Sequence, residues 1–238
     1  EYGGQEYASL QAAVNAAAKA ADGGTVKLAR DVSENVTVTG GTLTVDLNRK
    51  TWLADISENP DIWGRIPLTV TGGTVTAADG IGVENKGTFT MNSGTITAAS
   101  GTGVANNGTL TITGEGTVDN VSHGKAAIEN AIGASVTIKG CTFKRTNEKG
   151  TYDPYTSGGN SYYTIENEGN MTIESPAKVL NDGGYSSNIR NGGDDKIASS
   201  NVKTAQLTIN GGEFSGGVNT VKNDSYGVLT INDGKFNN

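Results

Sequence analysis

One cysteine, one histidine, two tryptophans, two methionines and four prolines are spread over 238 residues. Each shortage excludes something. A single thiol, Cys141, rules out an internal disulfide framework. A single imidazole, His123, leaves no second histidine for a metal site. Aromatics make up 6% and hydrophobic residues 34% of the chain, too little for a thick globular core. No apolar run is long enough to span a bilayer and no signal peptide is present, so no membrane insertion within this chain is expected. Basic residues are the minority charge, 18 against 25 acidic, for a net −7. That balance disfavours nucleic acid or an anionic membrane surface as the main partner. Nothing in the sequence calls for a cofactor or a metal.

What is abundant is glycine, at 35 residues, and a short repeated phrase: an aliphatic residue, any residue, Asn, a Gly-containing turn, then apolar-Thr-apolar. The copies are Val83-Glu84-Asn85 with Phe89-Thr90-Met91, Val104-Ala105-Asn106 with Leu110-Thr111-Ile112, and Ile128-Glu129-Asn130 with Val136-Thr137-Ile138. They continue as Ile165-Glu166-Asn167 with Met171-Thr172-Ile173, Ile189-Arg190-Asn191 with Leu207-Thr208-Ile209, and Val221-Lys222-Asn223 with Leu229-Thr230-Ile231. A third element, a Gly turn followed by an apolar residue, recurs as Gly94-Thr95-Ile96, Gly116-Thr117-Val118, Cys141-Thr142-Phe143, Glu213-Phe214 and Lys235-Phe236. A unit this small cannot bury its own apolar face and must stack on its neighbours. The asparagines stand 21, 24, 37, 24 and 32 residues apart, a bare period of 21 to 24 with insertions in the long intervals. Leucine-rich repeats need a Leu-rich consensus that is absent, and propeller blades need longer units. The expected fold is all-β: a right-handed single-stranded parallel β-helix, a solenoid of three short strands per coil, in one domain over residues 1–238.

The helical exception is at the start. Ser9 can cap a helix whose Leu10, Val14, Ala17, Ala18 and Ala21 share a face and which Gly23-Gly24 ends, so residues 5–24 are expected to cover the open end of the stack. The first coils follow over 25–80, with a loop at 53–65, and the Asn-bearing coils over 81–238, with insertions at 144–163 and 192–205. In all six copies Asn ends a strand. Stacked at ~4.8 Å, Asn85, Asn106, Asn130, Asn167, Asn191 and Asn223 can form a structural amide ladder that satisfies buried groups and locks the register. The chain begins without Met and stops just after a repeat strand, so the natural protein is expected to continue.

Tyr7-Ala8-Ser9-Leu10-Gln11-Ala12-Ala13-Val14, Gly23-Gly24-Thr25-Val26-Lys27-Leu28 and Leu43-Thr44-Val45-Asp46-Leu47-Asn48 resemble the start of right-handed parallel β-helix domains. These are the pectate-lyase-like superfamily, and especially the surface modules of Gram-positive gut bacteria. The resemblance spans the whole chain. It implies an extracellular or cell-surface location and leaves function open, since lyases, glycosidases, tailspikes and adhesins share the coil. Polysaccharide hydrolases of this fold carry paired aspartates, Gly-His-Gly and a downstream Arg-Ile-Lys. Here Asp194-Asp195 and Ser122-His123-Gly124 come in the reverse order, the first Gly is Ser, and no Arg-Ile-Lys exists.

Asp194, Asp195 and His123 are therefore catalytic candidates only under the alternative reading, as a polysaccharide lyase or glycoside hydrolase acting on an acidic glycan. Asp119, Glu129 and Glu166 could align on adjacent coils for calcium, with Arg145 or Arg190 as base, but no supporting cluster is legible. Cys141 reads as a small packed residue rather than a nucleophile. A ligand-binding edge is suggested instead by Tyr152, Tyr155, Tyr162 and Tyr163, with Tyr185 one coil later, since tyrosine stacks on sugar rings and suits protein contacts. The expected role is a non-enzymatic structural or adhesion module of a bacterial surface or secreted protein, contacting glycan or a host or cell-wall protein through its loops.

Overall fold

The computed structural model describes residues 1–20, 24–34, 36–38, 43–53, 56–58, 67–77, 81–99, 101–120, 125–145, 163–181, 186–193 and 204–238. Among these the chain is mostly β, with one helix and two sheets in which strands pair in parallel. The first sheet has eight three-residue strands: Val36–Val38, Ile56–Glu58, Val83–Asn85, Val104–Asn106, Ile128–Asn130, Ile165–Asn167, Ile189–Asn191 and Val221–Asn223. They lie in sequence order, each paired with the copy before and after it. The second sheet, of thirteen strands, carries the apolar-Thr-apolar triplets and the third elements together.

Pairing is residue for residue. Leu110 lies between Phe89 and Val136, and Ile112 between Met91 and Ile138. Thr111 sits between Thr90 and Thr137. Alternation with period two sends the aliphatic residues inward and the threonines outward, so a one-residue slip would expose every core side chain. All these aliphatic residues are buried, forming one continuous core from Val26 to Phe214.

Three short strands per repeat are not what is seen throughout. Thr109–Asn120, Ser135–Arg145, Ala205–Gly216 and Gly227–Asn237 each run the second and third elements together as one long strand. The Gly turn between them is absorbed as a register irregularity: pairing of Thr109–Asn120 with Ser135–Arg145 slips between Gly114 and Thr117, then resumes. Glycine is needed where turns stack closely. A Cβ on Gly108 would collide with the carbonyl oxygen of Gly87 in the turn before it.

The helix is Leu10–Ala17, shorter than the 5–24 expected from its apolar stripe. Tyr2 and Gln5 exchange backbone hydrogen bonds across Gly3-Gly4, both at positive φ, so the segment before Ser9 is a tight turn. Ser9 accepts from Ala12 N at 3.1 Å, and Ala18 closes the other end. Gly24 already belongs to the strand Gly24–Lys27; its bare Cα lets the helix approach, a Cβ there falling 2.7 Å from Ala17 Cβ. The helix touches Gly24–Lys27 and Val36–Val38, the first strands of the two sheets.

Sequence reasoning missed Glu34. Its carboxylate accepts from the backbone N–H groups of Leu10 and Gln11, both at 2.8 Å, while its carbonyl accepts from Trp52 Nε1 at 2.7 Å. One residue thus caps the helix N-terminus and ties it to the core. Glu34→Ala should cost about 1–2 kcal/mol in urea unfolding, with Glu34→Gln intermediate. Equal stability of wild type and Glu34→Ala would remove this cap.

Three further boundaries differ from expectation. The loop expected at 53–65 contains the strand Ile56–Glu58 and the end of Thr51–Leu53. Ile56 pairs with Val83, so this stretch is a layer whose strand simply lacks the Asn mark. The insertion expected at 144–163 begins later, because Lys144 and Arg145 pair with Asp119 and Asn120. At 192–205, Gly192 N bonds Asn167 O, Gly193 pairs with Ser225, and Ala205 opens the next long strand.

Candidate functional site

The polar machinery of the described residues lies along the eight-stranded sheet. Each side-chain amide donates to the oxygen of the next: Asn85 to Asn106 at 2.6 Å, Asn106 to Asn130 at 2.8 Å, Asn130 to Asn167 and Asn167 to Asn191 at 2.7 Å, and Asn191 to Asn223 at 2.8 Å. The same amides reach backbone carbonyls of the following layer, as Asn130 does to Asn170 O at 3.2 Å. Asn85 to Asn191 are buried; Asn223 is exposed. The ladder therefore has a direction, N–H towards the C-terminal layers and oxygen towards the N-terminal ones.

The residue before each Asn points outward, and register stacks these into a column: Glu84, Ala105, Glu129, Glu166, Arg190, Lys222. Arg190 is its centre. Its Nη1 donates to Glu166 Oε1 at 2.7 Å and its Nε to Asp224 Oδ2 at 3.1 Å. Its Cζ stands 5.4 Å from the centroid of the Tyr163 ring, within cation–π reach. Lys222 also pairs with Asp224, at 2.8 Å. Burial opposes the charged form of Arg190, but Tyr163, Glu166 and Asp224 outweigh it and hold the guanidinium above its ordinary value. An arginine held so firmly protonated cannot serve as a base.

Burial likewise pushes Asp224 up, yet the bonds from Lys222 and Arg190 prevail and leave its carboxyl below the ordinary value. A depressed carboxyl stabilises the fold above its unfolded pKa, and that contribution is lost as pH falls through the folded value. Urea midpoints should be flat from about pH 7 to 5 and fall below about pH 4, with a shallower fall in Asp224→Asn. Identical acid limbs in the two proteins would exclude Asp224 as their origin.

Beside the column is a shallow groove of about 330 Å³ lined by Ala105, Asn107, Glu129, Ala131, Glu166 and Glu168, among others. Ala105 leaves a notch where other layers carry charge. Glu129 and Glu166 are direct neighbours in register, and Glu129 Oε1 has no hydrogen-bond partner among the described residues. Asp119 does not join them. It lies in the other sheet, 3.7 Å from Lys144 Nζ. No group of three or more His, Cys, Asp or Glu positioned for a metal occurs among the described residues.

Burial lowers the Arg145 guanidinium to about 10, still charged at neutral pH. Cys141 is buried and its thiol pushed up to about 11 by burial, so it stays protonated and unreactive. Two buried asparagines outside the repeat phrase also serve the fold. Asn188 donates to Val179 O and Ser215 O at 2.8 and 3.0 Å, and Asn120 donates to Gly101 O.

Of the tyrosines expected on one edge, the structure describes Tyr163, half-buried against Arg190. Tyr152, Tyr155, Tyr162 and Tyr185 lie outside the described residues, as do Asp194, Asp195 and His123. No helix among the described residues is long and apolar enough to cross a membrane. Compared with family models, curated proteins and solved structures, the chain matches none.

Proposed function

We propose that the chain is a rigid, non-enzymatic module, folded as a right-handed parallel β-helix of the pectate-lyase-like type, in a secreted or surface-exposed bacterial protein. Its work is to hold a binding edge, formed by Tyr163 and the neighbouring Tyr152, Tyr155, Tyr162 and Tyr185, against a glycan or a host or cell-wall protein. The observation that carries this reading is where the buried polar groups go. The ladder amides bond one another from layer to layer, and Arg190 is spent on Glu166, Asp224 and Tyr163. Such groups stiffen a scaffold rather than converge on a reacting atom. Tyr163, steadied by Arg190, offers a preorganised apolar surface at low entropic cost.

Binding and turnover should be measured together on panels of pectic and host glycans and cell-wall proteins. The expected result is saturable binding, weakened roughly tenfold or more by Tyr163→Ala while stability falls only by the lost contact with Arg190, about 0.5–1 kcal/mol, and no shortening of the glycan. Release of oligosaccharides would overturn it in favour of a second reading, glycoside hydrolysis. That reading rests on Glu129 and Glu166, adjacent in register in one groove, because retaining hydrolysis uses two carboxyl groups about 5 Å apart. Loss of that turnover in Glu129→Gln would assign it.

A further inference from the structure

Three asparagines are followed directly by glycine: Asn107-Gly108, Asn191-Gly192 and Asn210-Gly211. Such a pair carries its own electrophile and nucleophile, the side-chain amide carbon and the next backbone nitrogen, already held in one molecule. Glycine leaves the approach between them unhindered. By sequence the three pairs are equal; the fold separates them.

Asn191 is locked. It is 0% exposed, its amide donates to Asn223 Oδ1 and Val228 O, and its oxygen accepts from Asn167. The Gly192 nitrogen is committed to Asn167 O at 2.9 Å. Asn107 is exposed, but the glycine after it is fixed on both sides. The Gly108 nitrogen donates to Asn106 Oδ1 at 3.3 Å, and the Gly108 carbonyl accepts from Ser135 N at 2.8 Å.

Asn210 differs from both. It is exposed on the flank of the thirteen-stranded sheet, next to buried Ile209. Pairing with Asn170–Ile173 stops at Ile209, and pairing with Lys178–Asn181 starts at Glu213. Towards Gly227–Asn237 the register slips on either side of Asn210. Gly211 therefore lies in a gap of the register on both sides. The Asn210 side-chain oxygen accepts from Asn232 Nδ2 at 2.8 Å, which draws electron density from Cγ. Glycine is also required here, because φ is +152° and a Cβ would collide with Ser175 Oγ. The layer thus needs the very residue that makes the pair reactive.

We infer that Asn210 is a site of spontaneous covalent modification, converting to aspartate and isoaspartate in the folded protein while Asn191 stays intact. The Gly211 nitrogen gives its proton to hydroxide and attacks Cγ of Asn210. The N–Cγ bond forms, the Cγ–Nδ2 bond breaks, and the leaving nitrogen takes a proton from water and departs as ammonia. Water then opens the cyclic imide at either of its carbonyls. Nothing is oxidised or reduced, and water is the one co-reactant. The product carries a new carboxylate opposite Asp233 in register, so each molecule gains negative charge on this face as it ages. Neither step involves the tyrosine edge or any turnover of glycan.

The test holds the protein in mildly alkaline buffer, folded and in parallel unfolded in guanidinium chloride, and follows all three pairs by peptide mass mapping. Unfolded, the three should convert at comparable rates. Folded, Asn210 should convert first, with Asn191 roughly tenfold or more slower because it must wait for local opening. An acidic species should accumulate on ion exchange and be largely lost in Asn210→Gln, whose longer side chain closes the ring poorly. Asn210 is exposed, so that variant should fold, as circular dichroism would verify. Conversion of Asn191 as fast as Asn210 in the folded protein would overturn the inference. So would an Asn210 that stays intact while the unfolded chain converts, or an acidic species undiminished in Asn210→Gln.

Discussion

Asn130→Leu is expected to lower the free energy of unfolding by about 2–4 kcal/mol. Asn130 is buried, accepts from Asn106 and donates to Asn167 and to Asn170 O. Leucine makes none of these bonds. The Asn106 amide would retain Gly108 O and Ser135 O, which moderates the loss on that side. The Asn167 oxygen would lose its donor inside a low-dielectric turn, where an unsatisfied group is costly. The control is Asn223→Leu, at the exposed end of the same ladder, where the change should stay within about 0.5 kcal/mol. Urea unfolding of both variants measures the contrast. If the two cost the same, the amides contribute as turn residues and not as a ladder.

Arg190→Met should cost about 3 kcal/mol. Methionine keeps the apolar stem but removes the guanidinium from between Glu166 and Asp224, taking from each a charge-assisted bond and leaving Asp224 its pair with Lys222. It also removes the cation over Tyr163, worth about 0.5–1 kcal/mol more. Arg190→Lys should rescue little, because an ammonium cannot reach two carboxylates in the fork geometry of arginine. Adding Glu166→Gln to Arg190→Met should recover part of the loss, since a half-buried carboxylate deprived of the guanidinium is what is costly. Thermal unfolding of the three proteins gives the comparison. An unaffected Arg190→Met protein would mean that the pairs are surface decoration.

How much of this could be read from the sequence depends on how locally each feature is encoded. The layers with Asn and an apolar-Thr-apolar triplet announce themselves, because two periods coincide in a stretch of about ten residues. The separations between bonded amides, 21, 24, 37, 24 and 32 residues, are the intervals between those asparagines. Thr51–Leu53 and Ile56–Glu58, which close one layer and open the next, are hidden because neither strand carries the Asn mark and the sequence around them holds Asp55, Glu58 and Asp61. The helix boundaries were misread because the groups that set them are the Gly3-Gly4 turn and a carboxylate, Glu34, that follows Leu10 by 24 residues.

The column of Glu129, Glu166 and Arg190 was visible only as a list of outward positions. Which charges meet depends on Arg190 reaching back 24 residues to Glu166 and forward 34 to Asp224. Long strands such as Thr109–Asn120 were divided in the sequence by their Gly turns. Parallel pairing carries the backbone across such a turn with only a register slip.

The central claim is that a continuous ladder of asparagine amides holds the layers in register. Hydrogen exchange of the Asn side-chain amides, followed by nuclear magnetic resonance, tests it most directly. The account predicts strong protection for Asn106, Asn130, Asn167 and Asn191, which are buried, and faster exchange for Asn223, which is exposed. Exchange of the first four as fast as that of Asn223 would contradict it.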